Sequence, residues 1–433
     1  MAEATDNCAK EVKIYGLANE TKIPCYMKKK VKALPLKLLA RGSTCCCYRI
    51  DSDDENFGGR VLKEFAPWGC IRKKGVAVVK TTSNADYEAF LHIKDSLWSL
   101  DDVYSKDHAT HLQTPELYET SLGKCYLYPR AQVEMLSEME SPSDMEKRLI
   151  QVLRVTVLAL NNLEMIHKAD MVHLDMKSQN TCRLFIDNLQ DYRCRSIDLG
   201  SCMTLPPEKG WSKLTSGDFA SSEDWYPKCD INMVIGFLQD YDGEDDEIKK
   251  NALRWLDLKA CMKMMFELLL RFLEYVPKES DTPKKIKALL EEFFFPQSSQ
   301  SIAQNEVIHY LDIYARLCAI VDRSFRFPYG KEKATFYPLS EFRLDLYRLL
   351  AILGDDKLTP DEKEEKDAVN RDKLIHDDIS VYCTELLKNR EKNQEWSFGD
   401  VLNDYEDFIN NPNTKLDECS VAGYYKHLLI QYL

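Results

Sequence analysis

The sequence predicts an α+β fold in two parts, a small β-rich one followed by a larger helical one. Two observations carry this. Between about residues 35 and 130 the apolar residues come in short β-rich runs broken by glycine and acidic turns. From Ser143 onward they recur at helical spacing over long stretches. A small sheet followed by a run of helices is the pattern of an α+β chain.

Taken in order, residues 1–34 are polar and lysine-bearing, with M-K-K-K-V-K at 27–32, and read as an N-terminal extension of weak structure. The strands expected next are LPLKLLARG, TCCCYRI, RVLKEF, GVAVVK and KCYLYP, with DSDDENFGG at 51–59 turning the second into the third. One helix, DYEAFLHIKDSLWSL, interrupts them. Ser143 and Glu146 form an S-x-x-E capping signature, and Leu149, Leu153, Leu160 and Leu163 behind it mark a long core helix. Further helices are expected at 253–276 and around 302–321 and 338–353. The stretch DDKLTPDEKEEKD at 355–367 reads as a charged linker, and 368–433 as two or three amphipathic helices. The predicted layout is therefore an extension (1–34), a β-rich part (35–130), a helical part (131–355) with an insertion at about 226–252, and a tail (356–433).

Composition narrows the function classes. With 433 residues, 44% hydrophobic and 30% charged, the chain is globular rather than collagen-like or low-complexity. Its 58 basic and 71 acidic residues give a net charge of −13, a surface that repels phosphate backbones, so no nucleic-acid partner is expected. The 15 cysteines are scattered without any C-x-x-C spacing, which signals neither a zinc ribbon nor a redox pair. They read as reduced packing residues, the adjacent Cys45, Cys46 and Cys47 as a strand of small hydrophobes. The N-terminus MAEATDNCAKEVK lacks an apolar core, and no stretch reaches the ~18 apolar residues of a membrane span. The expectation is a cytoplasmic protein without membrane contact.

The chemistry concentrates in MVHLDMKSQNTCRLF (171–185) and CRSIDLGS (194–201). A strand end delivers His173, Asp175, Lys177 and Asn180 on one short loop, and a second strand ends in Asp198. Two acids and an amide at neighbouring strand ends suit a phosphate–metal site. One carboxylate accepts a hydroxyl proton, the amide and the second carboxylate ligate magnesium through oxygen, and Lys177 neutralises a transferring phosphoryl group.

HLDMKSQN with a downstream IDLG closely resembles the protein-kinase catalytic loop H-R-D-L-x-x-x-N and its D-F-G motif, with Asp175 and Asn180 at the family's spacing. The resemblance covers about residues 35–355. It implies a bilobal protein-kinase-like fold, with a small β-rich N-lobe, a larger helical C-lobe and a C-terminal helical extension. It also implies ATP and Mg as cofactors and a protein substrate phosphorylated on Ser or Thr. Asp175 is then the catalytic base, assisted by Lys177 and Asn180, and Asn180 and Asp198 are the metal ligands. Lys63 in RVLKEF matches the strand lysine on the α/β phosphates, with Glu88 as its helix partner and Glu116 a distant second. The hinge at Tyr126–Pro129 would dock adenine at Leu127 and Tyr128. The glycine-rich loop laid on ARGSTCCC gives Ala40, Gly42, Cys45 and Cys47, so one glycine survives, with Ser43 and Thr44 at the tip. FASSE resembles the end of an activation segment with Ser222 replacing proline. Glu223 there would pair with Arg323 or Arg326, Thr215 would contact the catalytic loop, and Asp257 would pin that loop's backbone. His173 is expected to brace the loop rather than move protons.

Leu174 in place of the arginine of H-R-D leaves the basic pocket for an activation-loop phosphate incomplete, so regulation by loop phosphorylation is not expected. Leu199 for phenylalanine keeps the metal aspartate usable. The acidic stretch DYDGEDDE would steer basic substrates. Two other readings stay open, a pseudokinase scaffold, motivated by the degraded glycine loop, and a small-molecule phosphotransferase sharing the catalytic loop.

Overall fold

In the computed structural model, the described residues are 10–17, 30–41, 45–65, 70–73, 76–79, 85–101, 106, 116–128, 133–186, 191–219, 226–241, 243, 245–278, 280–295, 304–328, 336–355, 357–360 and 363–374. They form a mixed α/β structure in two compact units. The first comprises residues up to Glu134 with Met165–His173 and Cys182–Met203. The second comprises Met135–Glu164, Leu174–Thr181 and residues from Thr204 on.

The first unit is built on a seven-stranded antiparallel sheet of order β1-β3-β4-β5-β9-β8-β2. Its strands are β1 (Lys10–Val12), β2 (Ile14–Leu17), β3 (Leu34–Arg41), β4 (Cys45–Ile50), β5 (Val61–Phe65), β8 (Glu116–Thr120) and β9 (Gly123–Tyr128). A separate hairpin pairs β6 (Cys70–Lys73) with β7 (Val76–Val79). Leu34 and Leu36 of β3 are buried while Lys37 and Leu38 are exposed, the signature of a strand with one face on a core. The β4–β5 turn is organised by Asp54, whose Oδ1 accepts from the amides of Asn56 and Phe57. Gly58 is required there, since a Cβ would lie 2.1 Å from the Ser52 carbonyl oxygen.

Residues 10–17 depart from the expectation of a weakly structured extension. Val12 pairs with Leu34 of β3, while Ile14 pairs with Thr120 of β8. Only Lys13 separates the two strands, and its carbonyl accepts from the Ser121 amide at 2.8 Å. One short chain segment thus covers the edges that β3 and β8 would otherwise expose. Val12 and Ile14 enter the same core as Leu62, Leu127 and Ile50, and that burial outweighs the polar neighbours. A second core lies under helix α1 (Ala85–Ser99), where Phe90, Ile93 and Leu97 meet Met165, Met171 and Leu199.

The second unit is helical. Helix α2 (Met145–Lys168) buries Leu149, Leu153, Leu160 and Leu163. Its N-terminus is capped by Asp144, which accepts from the Lys147 amide at 2.8 Å, one residue later than the signature beginning at Ser143. Among the described residues α2 is the one helix long and apolar enough to cross a membrane, although no uninterrupted apolar run marks it in sequence. With 72% of that window buried, it is a core helix. Helices α3 (Lys228–Asp240) and α4 (Asp246–Leu269) follow, then α5 (Pro283–Phe294), α6 (Gln304–Phe325) and α7 (Leu339–Ile352). Helix α4 is buried on every side from Leu256 to Leu269, as the central helix of an all-helical layer must be. It starts earlier than the apolar pattern predicts because the acidic stretch serves as its cap. Asp245 accepts from the Glu247 amide, and Asp246 and Glu247 sit in the positive first turn. Lys249 and Arg254 pair with Asp246 and Glu247, so part of this acidity is neutralised locally.

The stretch expected as a linker begins with a buried residue. Asp355 pairs with Arg154 of α2, and residues 363–374 form helix α8. Asp372 of α8 is buried against Arg316 of α6 (3.4 Å) and Arg348 of α7 (2.8 Å).

Candidate active site

In the first unit, Lys63 lies on β5, whose backbone is bonded to β4 on one side and β9 on the other, opposite Cys47 and Tyr126. Its side chain is buried, with Nζ 3.5 Å from Asp198 Oδ1. Asp198 follows the strand Asp191–Ser196, and its Oδ1 also accepts from the Gly200 amide at 3.3 Å. Leu199 between them is 2% exposed and packs on Phe90 and Ile93, so the D-L-G turn is anchored by the apolar residue in its middle. Lys63 and Asp198, 135 positions apart, thus meet although the strands that carry them belong to different sheets. Glu88 is exposed on α1.

Leu127 and Tyr128 close β9, and Leu127 is fully buried opposite Leu62. Arg60 donates through Nε to the Tyr128 carbonyl at 3.1 Å and through Nη2 to that of Leu127 at 3.3 Å, while pairing with Glu116 at 2.9 Å. Glu116 therefore belongs with Arg60. Gly42, Ser43 and Thr44 lie outside the described residues, as do Pro129, Ser222 and Glu223. Ala40 and Arg41 end β3 opposite Cys47 and Cys46 of β4.

In the second unit the loop from Leu174 to Thr181 is knit together. Lys177 Nζ lies 3.0 Å from both Asp175 carboxylate oxygens. Asn180 Nδ2 donates to Asp175 Oδ2 at 2.6 Å and to the Asp175 carbonyl at 3.0 Å. Thr181 Oγ1 donates to the Lys177 carbonyl at 3.0 Å and closes the turn. The backbone on either side of Asp175 is held from below. Leu174 adopts φ +58°, a left-handed conformation that costs a branched residue about 1–3 kcal/mol and persists only where surroundings enforce it. Its amide donates to Asp257 Oδ1 at 2.8 Å, as the resemblance implied for Asp257. The Met176 amide donates to the hydroxyl of Tyr226 at 2.9 Å, and that hydroxyl donates to Asp257 Oδ1 at 3.0 Å. Burial and the adjacent Asp257 push the Tyr226 phenol well above its ordinary pKa, so it keeps the proton it donates.

Tyr226 is a partner of this loop that the sequence pattern missed. It stands 50 positions from Met176 and 31 from Asp257, beyond the reach of any local spacing rule. His173 is fully buried. Thr215 bonds locally, its amide and hydroxyl both donating to Asp218. Arg323 pairs with Asp345 at 3.0 Å.

The Asp198 carboxylate of the first unit and the Asn180 amide oxygen of the second are each hard oxygen donors of the kind magnesium takes. Among the described residues no group of three or more His, Cys, Asp or Glu side chains could hold a metal ion. Cys182, just after the loop in sequence, is a buried packing group. Burial pushes the Cys182 thiol up to about 12, far from a reactive thiolate.

No protein-family model matches the chain, and no curated protein matches it. Among solved structures, the chain is similar to the BubR1 kinase domain at 13% identity and a TM-score of 0.42, over 79% of this chain and 85% of that one. A likeness at that level carries neither fold nor activity from one protein to the other.

Proposed function

We propose that the chain is an ATP- and magnesium-dependent protein kinase that transfers the γ-phosphoryl group of ATP to Ser or Thr hydroxyls of a protein. The observation supporting this most is the loop in which Lys177 and Asn180 both hold the Asp175 carboxylate. A carboxylate fixed in that way is oriented to accept one proton, from the attacking hydroxyl. The hydroxyl oxygen bonds to the γ-phosphorus as the bond to the β-phosphate oxygen breaks, ADP departs, and Asp175 carries the proton away. Lys177, beside Asp175, offsets charge on the transferring group. Lys63 is assigned to the α/β phosphates and Asp198 and Asn180 to magnesium, which supplies neutralisation of phosphate charge. Gly42 and Ser43 are assigned to the phosphate loop, Glu88 to the orientation of Lys63, and Leu127 and Tyr128 to the adenine. A bilobal kinase-like architecture, a cytoplasmic setting and a protein substrate favoured by basic residues belong to the same proposal.

A second reading, a scaffold without turnover, is favoured by one feature. The Tyr128 and Leu127 carbonyls assigned to adenine already accept from Arg60. Nucleotide binding separates the two. Ligand at about 100 times its Kd stabilises the folded state by about 2.7 kcal/mol, which reads as a rise of several degrees in Tm. Mg-ATP is expected to produce that rise in the wild type and not in Lys63→Ala. A wild type that shows no rise contradicts the kinase reading and favours the scaffold.

A further inference from the structure

We infer that Tyr226 is a positioning residue that aims Asp175, by clamping the amide that follows it. This rests on the kinase reading above.

The peptide units flanking Asp175 are both bound to one acceptor system. The Leu174 amide, before it, reaches Asp257 Oδ1 at 2.8 Å. The Met176 amide, after it, reaches the Tyr226 hydroxyl at 2.9 Å, whose own proton goes to the same Asp257 oxygen at 3.0 Å. The ring closes through Asp175: Leu174 N–H to Asp257, Tyr226 O–H to Asp257, Met176 N–H to Tyr226. Leu174, Met176, Tyr226 and Asp257 are each at most 1% exposed, so no water substitutes for a missing partner. Asp257 takes the Leu174 amide, before the base. The tyrosine extends its reach to the other side, and a phenol is needed because one group must accept from an amide and donate to a carboxylate at once.

The left-handed Leu174 makes the clamp consequential. A branched residue at φ +58° relaxes toward the ordinary backbone regions once released, and the rotation is passed directly to Asp175. Lys177 and Asn180 would follow the carboxylate, since their bonds to it are local, so they cannot restore its aim. The side chains that hold the base and those that aim it are therefore separate sets. Tyr226 also stands two residues before α3, which ties the entry of that helix to the loop.

Tyr226→Phe removes the hydroxyl and keeps the ring in its core site. The experiment measures residue-resolved amide exchange, and phosphotransfer kinetics, on the full chain, with Asp175→Asn alongside. Exchange at Met176 is expected to accelerate by about tenfold or more, the loss of one hydrogen bond, while the amides of α4 keep their protection. The kcat is expected to fall by roughly 10- to 100-fold with KM for ATP held within about threefold, because misaim of a base spares binding. An unchanged kcat in Tyr226→Phe beside an inactive Asp175→Asn overturns the role given to Tyr226 alone. Loss of protection spread equally through α4 also overturns it, since that marks an ordinary core tyrosine. Transfer undiminished in Asp175→Asn overturns the kinase reading itself. Should the phenylalanine variant unfold, the wild type still decides: a Met176 amide that exchanges at the rate of exposed loops overturns the clamp, and one as slow as α4 supports it.

Discussion

At the scale of single residues, the charges of the loop were legible because the chemistry fixes their spacing. Asp175 and Asn180 five positions apart on one turn, and Asp198 at the next strand end, need no tertiary information to be noticed. Two groups nearby were not legible. Tyr226 reaches the Met176 amide and Arg60 the Tyr128 carbonyl across long sequence separations, and a tyrosine or arginine in isolation carries no pattern. The same holds for Lys263, fully buried on α4, which composition alone would place on the surface. Desolvation, with Lys259 adding to it and Asp230 and Asp281 opposing, lowers its pKa to about 8. Its folded pKa lies below its unfolded one, so between about 8 and the ordinary lysine value the unfolded chain binds more protons and stability rises with pH. Lys263→Met lacks this gain. Urea unfolding at about pH 7 and about pH 10 should show wild type gaining on the variant by up to about 2 kcal/mol, and a constant gap contradicts the account.

At the scale of elements, the helices α1, α2, α4, α6 and α7 were readable from periodicity, with ends displaced by caps. Helix α2 starts at Met145 because Asp144 rather than Ser143 supplies the acceptor, and α4 starts at Asp246 because the acidic stretch caps it. The pieces missed include helices α3 and α5, of 13 and 12 residues, and several short strands. Strands β1 and β2 have three and four residues, too few for an alternation to stand out, and they form only because β3 and β8 offer unpaired edges. The sheet predicts its own sensitivity. Ile14→Ala should cost roughly 2 to 5 kcal/mol by chemical denaturation. Leu38→Ala, at a position 51% exposed on β3, should stay within about 0.5 kcal/mol. Equal effects at the two positions would mean that residues 10–17 are not part of the core.

For the whole molecule, the α+β composition followed from the order of periodic segments, and the structure has it: an antiparallel sheet early in the chain and helices after Ser143. The tail was less legible. Its charge pattern reads as a linker, yet Asp355 is buried against Arg154, and Asp372 against Arg316 and Arg348. Buried charges look like surface charges in sequence, and only their partners tell them apart. The proposed function rests on Asp175 as the base of a phosphoryl transfer. The direct test is intact mass after incubation with Mg-ATP, wild type beside Asp175→Asn, in the presence of a mixed protein substrate. The account predicts added phosphate on the kinase or the substrate with wild type and at least about a hundredfold less with Asp175→Asn. Equal incorporation by the two proteins would contradict it.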